Sequence, residues 1–217
     1  MRASSCQTET MTDRLPPTPE GISRAAELLR SGAIVAFPTD TVYGVGVAVS
    51  QWKRLPDLFA LKRRPVEKAI PILLTHLSQA TDAGWEADGR VRDLSERLWP
   101  GPLTLILPFC AEAPPPTEGE TQAFRAPDHP VTQALIRSAG PIYATSANRS
   151  GEPDALGADE VLIAFATQQD ELAAVLDGGP VPGGVPSTVV DLSVTPARIL
   201  REGPVTRAAL AAVMELG

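Results

Sequence analysis

Residues 33–46 read Ala33-Ile-Val-Ala-Phe-Pro-Thr-Asp-Thr-Val-Tyr-Gly-Val-Gly46. An unbroken apolar run passes directly into a proline, two threonines flanking an aspartate, and two glycines. A short, uniformly apolar run closed by a proline predicts a strand buried on both faces, here over 33–37. Such strands belong to α/β sheets with helices packed on them, and in open sheets ligands sit beyond the strands' carboxyl ends. The segment 38–46 is therefore either a ligand-holding loop or a tight turn with capped backbone groups. Thr39 and Thr41 supply hydroxyls, and Gly44 and Gly46 permit a close backbone approach. It is not a dinucleotide fingerprint, because Val49 stands where the third glycine belongs, and no phosphate-loop consensus occurs elsewhere.

Upstream, Thr18 is a helix cap, Pro19 fits the first helical position, and Ile22, Ala25, Ala26, Leu28 and Leu29 share one helical face up to Gly32. Downstream, apolar spacing predicts helices over 55–62, 91–99, 131–139, 159–167 and 206–215. Strands are predicted over 70–74, 103–109, 123–125, 141–145, 173–176, 188–192 and 197–200. The proline-rich 111–120 and the Gly/Pro-rich 178–186 are read as loops. The last two strands follow each other with no helix between them, which requires a mixed parallel and antiparallel sheet. The expected architecture is one α/β domain over 18–217, a twisted open mixed sheet with flanking helices. Residues 1–17 are polar and aperiodic and are expected to form a disordered extension, with Met11 an alternative start to Met1. They lack the apolar stretch of a signal peptide.

The 217 residues are 43% apolar and 5% aromatic, enough for one sizeable core. Twenty-six acidic residues against 19 basic ones give a net charge of -7. Strong autonomous gripping of a nucleic-acid backbone is disfavoured by that balance, since phosphate contacts come from Lys and Arg. No apolar run approaches the roughly 20 residues of a membrane helix. Cys6 and Cys110 with His76 and His129 cannot furnish a disulfide framework or a zinc centre, so a reduced, cytoplasmic setting is expected and no metal ligands are assigned.

Several segments carry more polar groups than a connection needs. Lys62-Arg63-Arg64, with Lys68 close behind, is either a phosphate cradle or a cationic helix end. Thr145-Ser146-Ala147-Asn148 places small hydroxyl and amide groups at a strand end, where they bind phosphate or sugar oxygens or cap a turn. Trp99-Pro-Gly-Pro-Leu-Thr104 is read as a structural corner. Arg125 precedes Pro127, Ser187-Thr188 opens a strand, and Arg201 leaves the last one. With so few histidines and no nucleophile–base pair near a motif, this inventory suits binding an anionic substrate and stabilising charge in phosphoryl or nucleotidyl transfer.

Taken in order, Phe37–Gly44, Leu61–Pro65, Trp99–Thr104, Arg125–Pro130, Thr145–Asn148, Ser187–Asp191 and Arg201–Gly203 resemble the YrdC/Sua5 family over most of the chain. The resemblance implies a threonylcarbamoyl-AMP synthase, a nucleotidyltransferase forming the adenylate and pyrophosphate from L-threonine, bicarbonate and ATP with Mg²⁺. The product serves N6-threonylcarbamoyladenosine formation in tRNA, so a downstream tRNA threonylcarbamoyltransferase complex is the implied partner. A concave basic face would hold the nucleotide. By resemblance, Lys62, Arg64, Ser146 and Asn148 are catalytic, and Arg64, Lys68, Thr121, Ala144, Ser146 and Arg201 hold ATP. Thr41, Arg125 and Ser187 hold threonine. Lys68, Leu73 and Asp154 depart from longer members, which carry Asn, His and Ser there. The chain's end soon after Arg201 implies the short, single-domain form. A paralogue of the same fold without synthase activity, or a module binding double-stranded RNA or tRNA weakly, is the alternative; the Thr145–Asn148 motif speaks against the paralogue.

Overall fold

The computed structural model describes residues 12–63, 70–109, 121–168 and 171–217. Arg64, Lys68, both cysteines, Met1, Met11 and the expected loop 111–120 lie outside these residues.

Ten strands form one sheet: β1 (Asp13–Leu15), β2 (Ile34–Phe37), β3 (Gly44–Ala48), β4 (Ile72–Leu73), β5 (Leu103–Pro108), β6 (Thr121–Arg125), β7 (Ile142–Ser146), β8 (Leu172–Leu176), β9 (Thr188–Asp191) and β10 (Arg198–Arg201). Their spatial order is β1-β8-β2-β3-β7-β4-β6-β5-β9-β10. The helices are α1 (Pro19–Arg30), α2 (Leu55–Lys62), α3 (Ser78–Thr81), α4 (Gly89–Leu98), α5 (Pro130–Ala139), α6 (Ala158–Ala164) and α7 (Arg207–Ala211). Four neighbouring pairs are parallel (β1–β8, β2–β8, β4–β6, β5–β9) and the other five antiparallel, so the sheet is mixed as expected.

Alternation along each strand divides the core between the two faces. Val35, Phe37, Ile142, Ala144, Ala174 and Leu176 point to one face, where Ala25, Ala26 and Leu29 of α1 and Leu135, Ile136 and Ala139 of α5 cover them. Ile34, Ala36, Tyr143 and Val175 point to the other, against Leu58 and Leu61 of α2, Leu94 of α4 and Val161 of α6. The entry to α1 follows its sequence: the Thr18 hydroxyl accepts from Gly21 N at 3.3 Å, and Pro19 occupies the first turn.

Two expectations are corrected. Residues 1–17 are not wholly an extension, because Asp13–Leu15 is an edge strand parallel to β8. Arg14 fastens it, reaching Asp159 at 2.7 Å and Asp177 at 2.7 Å. The glycines of 44–46 do not end a loop but belong to β3, buried throughout between β2 and β7. A Cβ on Gly46 would stand 2.2 Å from the Tyr143 carbonyl oxygen, so this glycine serves strand packing and not approach to a ligand.

Candidate functional site

Beyond the cover of α1 and α5, their face of the sheet continues as an open cavity of about 370 Å³. Strand register explains its lining. Gly44 lies opposite Ser146, Leu73 beside Arg125, Ala123 opposite Ile106, Thr104 beside Val189, and Val189 opposite Arg201. All of them face the cavity, as does Ala144 two residues before Ser146. Thr39, Thr41 and Tyr43 on one side, and Asp154 and Ser187 on the other, complete the wall.

Arg125 is buried, and each of its nitrogens has one partner. Nε donates to Gly101 O at 3.2 Å, Nη1 to Thr41 Oγ1 at 3.0 Å, and Nη2 to Asp40 Oδ1 at 2.5 Å. A guanidinium carries five N–H donors, so one remains on each Nη, the fork that a carboxylate matches. Burial pulls the Arg125 pKa below the ordinary arginine value; Asp40 opposes this, while the charge of Arg201 adds to it. The two guanidiniums repel across the cavity, and an anion between them would relieve that repulsion.

Hydroxyl partners fix the polarity of the wall. Thr39 donates to Val42 O at 2.7 Å and accepts from Thr41 N at 3.2 Å and Val42 N at 3.3 Å, which fills its hydrogen-bonding capacity, and its hydroxyl oxygen lies 3.1 Å from that of Thr41. Thr41, which accepts from Arg125, is left offering the cavity a lone pair. Arg201 donates through Nε to Ser187 O at 3.0 Å and through Nη2 to Ser187 Oγ at 3.3 Å. Burial lowers the Arg201 pKa, and Asp154 opposes this. Tyr43 donates to Gly179 O and accepts from Gly178 N, tying the cavity rim to the 178–186 loop. Burial, reinforced by the charge of Asp177, pushes the Tyr43 pKa up to about 12, so its hydroxyl stays protonated.

Of the expected residues, the fold brings Thr41, Arg125, Ala144, Ser146, Ser187 and Arg201 together on the cavity. Thr121 is exposed, on the cavity side of β6 beyond Ala123, but outside the lining. Lys62 was expected to face phosphate. It is instead buried beneath the 146–148 turn, donating to Ser146 O, to Asn148 O at 2.7 Å and to Asn148 Oδ1 at 3.1 Å. Asn148 is also buried, receiving the Ser146 hydroxyl at 2.6 Å and donating to Glu152 O at 2.5 Å. These two residues shape the turn that carries Ser146.

Sequence reasoning missed Thr104, whose hydroxyl lies at 2.8 Å from Ser187 Oγ in the cavity wall. The surrounding motif is indeed a corner: Trp99 Nε1 donates to Leu103 O, and Gly101 N to Ala126 O. The signal available was the alternation of Thr104 and Ile106 along β5, which puts Thr104 on the open face. Asp154 and Leu73, two of the noted departures, also line the cavity.

The family profile Sua5_yciO_yrdC, described as "Telomere recombination", matches residues 27–203. The chain belongs to this Sua5/YciO/YrdC family. Among curated members it is 40% identical to the threonylcarbamoyl-AMP synthase of Bacillus subtilis, over 94% of this chain and 59% of that protein. It is 32% identical to the threonylcarbamoyl-AMP synthase of Vibrio cholerae, over 85% of this chain and 98% of that protein. The solved P. abyssi Sua5 complexed with L-threonine superposes with a TM-score of 0.85 at 32% identity, covering 96% of this chain and 63% of that one. The chain thus spans about three fifths of the B. subtilis and P. abyssi Sua5/YciO/YrdC proteins. Among the described residues, no helix is long and apolar enough to cross a membrane.

Proposed function

We propose that this chain is an L-threonylcarbamoyl-AMP synthase, a nucleotidyltransferase that joins L-threonine, bicarbonate-derived carbon dioxide and ATP and releases pyrophosphate. The observation that carries the reading is the Arg125 fork, two uncommitted N–H groups on a buried guanidinium, in a cavity whose far wall holds a second arginine. Such a fork binds the carboxylate of an amino acid, and the Thr41 lone pair suits its amine or hydroxyl. The relatives named threonylcarbamoyl-AMP synthase and the threonine complex of P. abyssi Sua5 support the same choice.

In this reading the neutral amine captures carbon dioxide as a carbamate. A carbamate oxygen attacks the α-phosphorus of ATP, and the bond to pyrophosphate breaks. Arg125 and Ser187 hold the amino acid in line with the nucleotide, which converts an encounter into a positioned reaction. Arg201, with Ser146 and Ala144 lining the same side, faces the phosphates, where a fixed cation stabilises developing charge. Lys62 and Asn148 act one layer behind, as positioning residues for Ser146. Arg64, Lys68 and Thr121 are proposed nucleotide contacts along the same side. Among the described residues no three His, Cys, Asp or Glu side chains are grouped to hold a metal. Mg²⁺ is therefore proposed to enter with ATP, held mainly by phosphate oxygens, with Asp154 the carboxylate lining the cavity. Its chemistry would be charge neutralisation on the phosphates. The product would pass to a tRNA threonylcarbamoyltransferase complex in the cytoplasm, and direct tRNA binding is expected to be weak because the chain carries a net charge of -7.

The test is pyrophosphate release from ATP with bicarbonate, with and without L-threonine and with L-serine as comparison. Release dependent on both threonine and bicarbonate is expected. Folded protein that releases none with Mg²⁺ present would remove the synthase reading in favour of an inactive paralogue or an RNA-binding module.

A further inference from the structure

Thr104 is 2% exposed and stands on β5 next in register to Val189, with its side chain in the cavity wall. Its hydroxyl has one protein partner among the described residues, Ser187 Oγ at 2.8 Å. The two hydroxyls own two protons between them, and the hydrogen bond that joins them consumes one. Ser187 Oγ also accepts from Arg201 Nη2 at 3.3 Å. The second hydroxyl proton finds no acceptor among the described residues. Whichever of the two donates internally, the pair offers the cavity one O–H.

That proton has a natural recipient. Antiparallel pairing of β5 with β6, read one step on from Leu105 opposite Phe124, brings Thr104 to the level of Arg125. The Arg125 fork supplies two N–H groups to a carboxylate, whose oxygens have about four acceptor positions. Thr41, on the other side of Arg125, accepts one of its N–H groups and keeps a lone pair for the substrate. The free O–H of the Thr104–Ser187 pair therefore stands on the β9 side of the Arg125 fork, with the Thr41 lone pair on the other.

We propose that Thr104 is a substrate-orienting residue, which with Ser187 presents a single O–H donor to the carboxylate of the bound amino acid. The proposal rests on the synthase reading and refines its amino-acid subsite. The linked hydroxyls set which end of a zwitterionic substrate lies toward β9 and which toward the 38–43 segment. Thr104 acts through Ser187 when Ser187 holds the outward proton, and directly when Thr104 does.

The test measures calorimetric binding of L-threonine and of L-threoninamide, together with KM values for threonine and ATP, on the full chain. T104V keeps the branched shape that suits a strand and removes the hydroxyl; T104S restores the hydroxyl. T104V should weaken L-threonine binding about tenfold, raise the threonine KM in step, and leave the ATP KM and L-threoninamide binding within about twofold of wild type. T104S should recover most of the threonine affinity. The T104V/S187A double variant should lose much less than the product of the two single losses, because the pair acts as one donor. Undiminished threonine binding in T104V overturns the proposal. So does a loss shared equally by threonine, threoninamide and ATP, which marks a purely structural hydroxyl. If T104V does not fold, the S187A comparison of threonine with threoninamide decides, and equal losses for the two ligands again overturn it. Wild-type protein that binds no L-threonine removes the synthase reading itself, an outcome separate from any difference among the variants.

Discussion

The ammonium of Lys62 sits where three oxygens of one short turn converge and donates to all three. A buried lysine charge is tolerable because those acceptors replace its hydration. Lys62→Met should therefore lower stability by about 2–3 kcal/mol, since it strips partners from buried oxygens, and should reduce pyrophosphate release at least about 100-fold. Chemical denaturation and the release assay check the two halves. Stability retained with activity lost would instead make Lys62 a direct phosphate ligand. The sequence displayed the cation but not its target, because the partners lie 84 and 86 residues further along the chain. Thr104 was missed for the same reason: its partner Ser187 is 83 residues away, and a threonine in a strand carries no local sign of its neighbour. Arg125 stood out in the sequence as a cation before a proline, whereas the use of Nε and one N–H of each Nη by protein partners was not legible.

Among the elements, the 178–186 loop is the one that depends most on a missing side chain. A Cβ on Gly183 would stand 1.3 Å from the Thr41 carbonyl oxygen, so loop and cavity rim touch backbone to backbone. Gly183→Ala must push the loop off the rim or displace Thr41. The expected result is a threonine KM raised about tenfold or more, with a lowered melting temperature; an unchanged KM would show that the rim adapts. Helices α1, α4 and α5 were readable because amphipathic spacing is a local signal, and α1 starts where Thr18 and Pro19 placed it. β1 and β3 were not readable. The first has 3 residues and gains its stability from β8 and Arg14, and the second is glycine-rich, which propensity scores against a strand.

For the whole molecule, pH links fold stability to His129 at the entry to α5. Burial lowers the His129 pKa from 6.5, against the opposing pull of Asp40 and Asp128. A base whose folded pKa is depressed leaves the unfolded chain binding more protons just below 6.5. Stability is therefore complete above that pH and declines as pH falls toward the folded value. Asp88 and Asp177 act at lower pH. Burial tends to raise both, but hydrogen bonds and the neighbouring Arg90 and Arg14 more than compensate, so their pKa values lie below 3.8 and their contribution is lost as pH falls through the lowered values. His129→Asn should flatten the melting-temperature profile between about pH 5 and 7 while leaving the acid limb below about pH 4 in place. An unaltered profile would remove His129 from the linkage. The α/β class and the mixed sheet were legible because strand-forming runs and their connections are written locally. Strand order was not, since β3 beside β7 and β5 beside β9 are pairings between distant stretches.

The residues lining the cavity begin at Thr39 and end at Arg201, and between them they draw on seven of the ten strands. During synthesis the cavity cannot exist until the last of these strands has emerged and paired, so a nascent chain has no such cavity before Arg201 is made. Once formed, the cavity cannot be excised as a fragment. A ligand held there would brace the sheet from β3 to β10, so ligand supply and resistance to unfolding would rise and fall together.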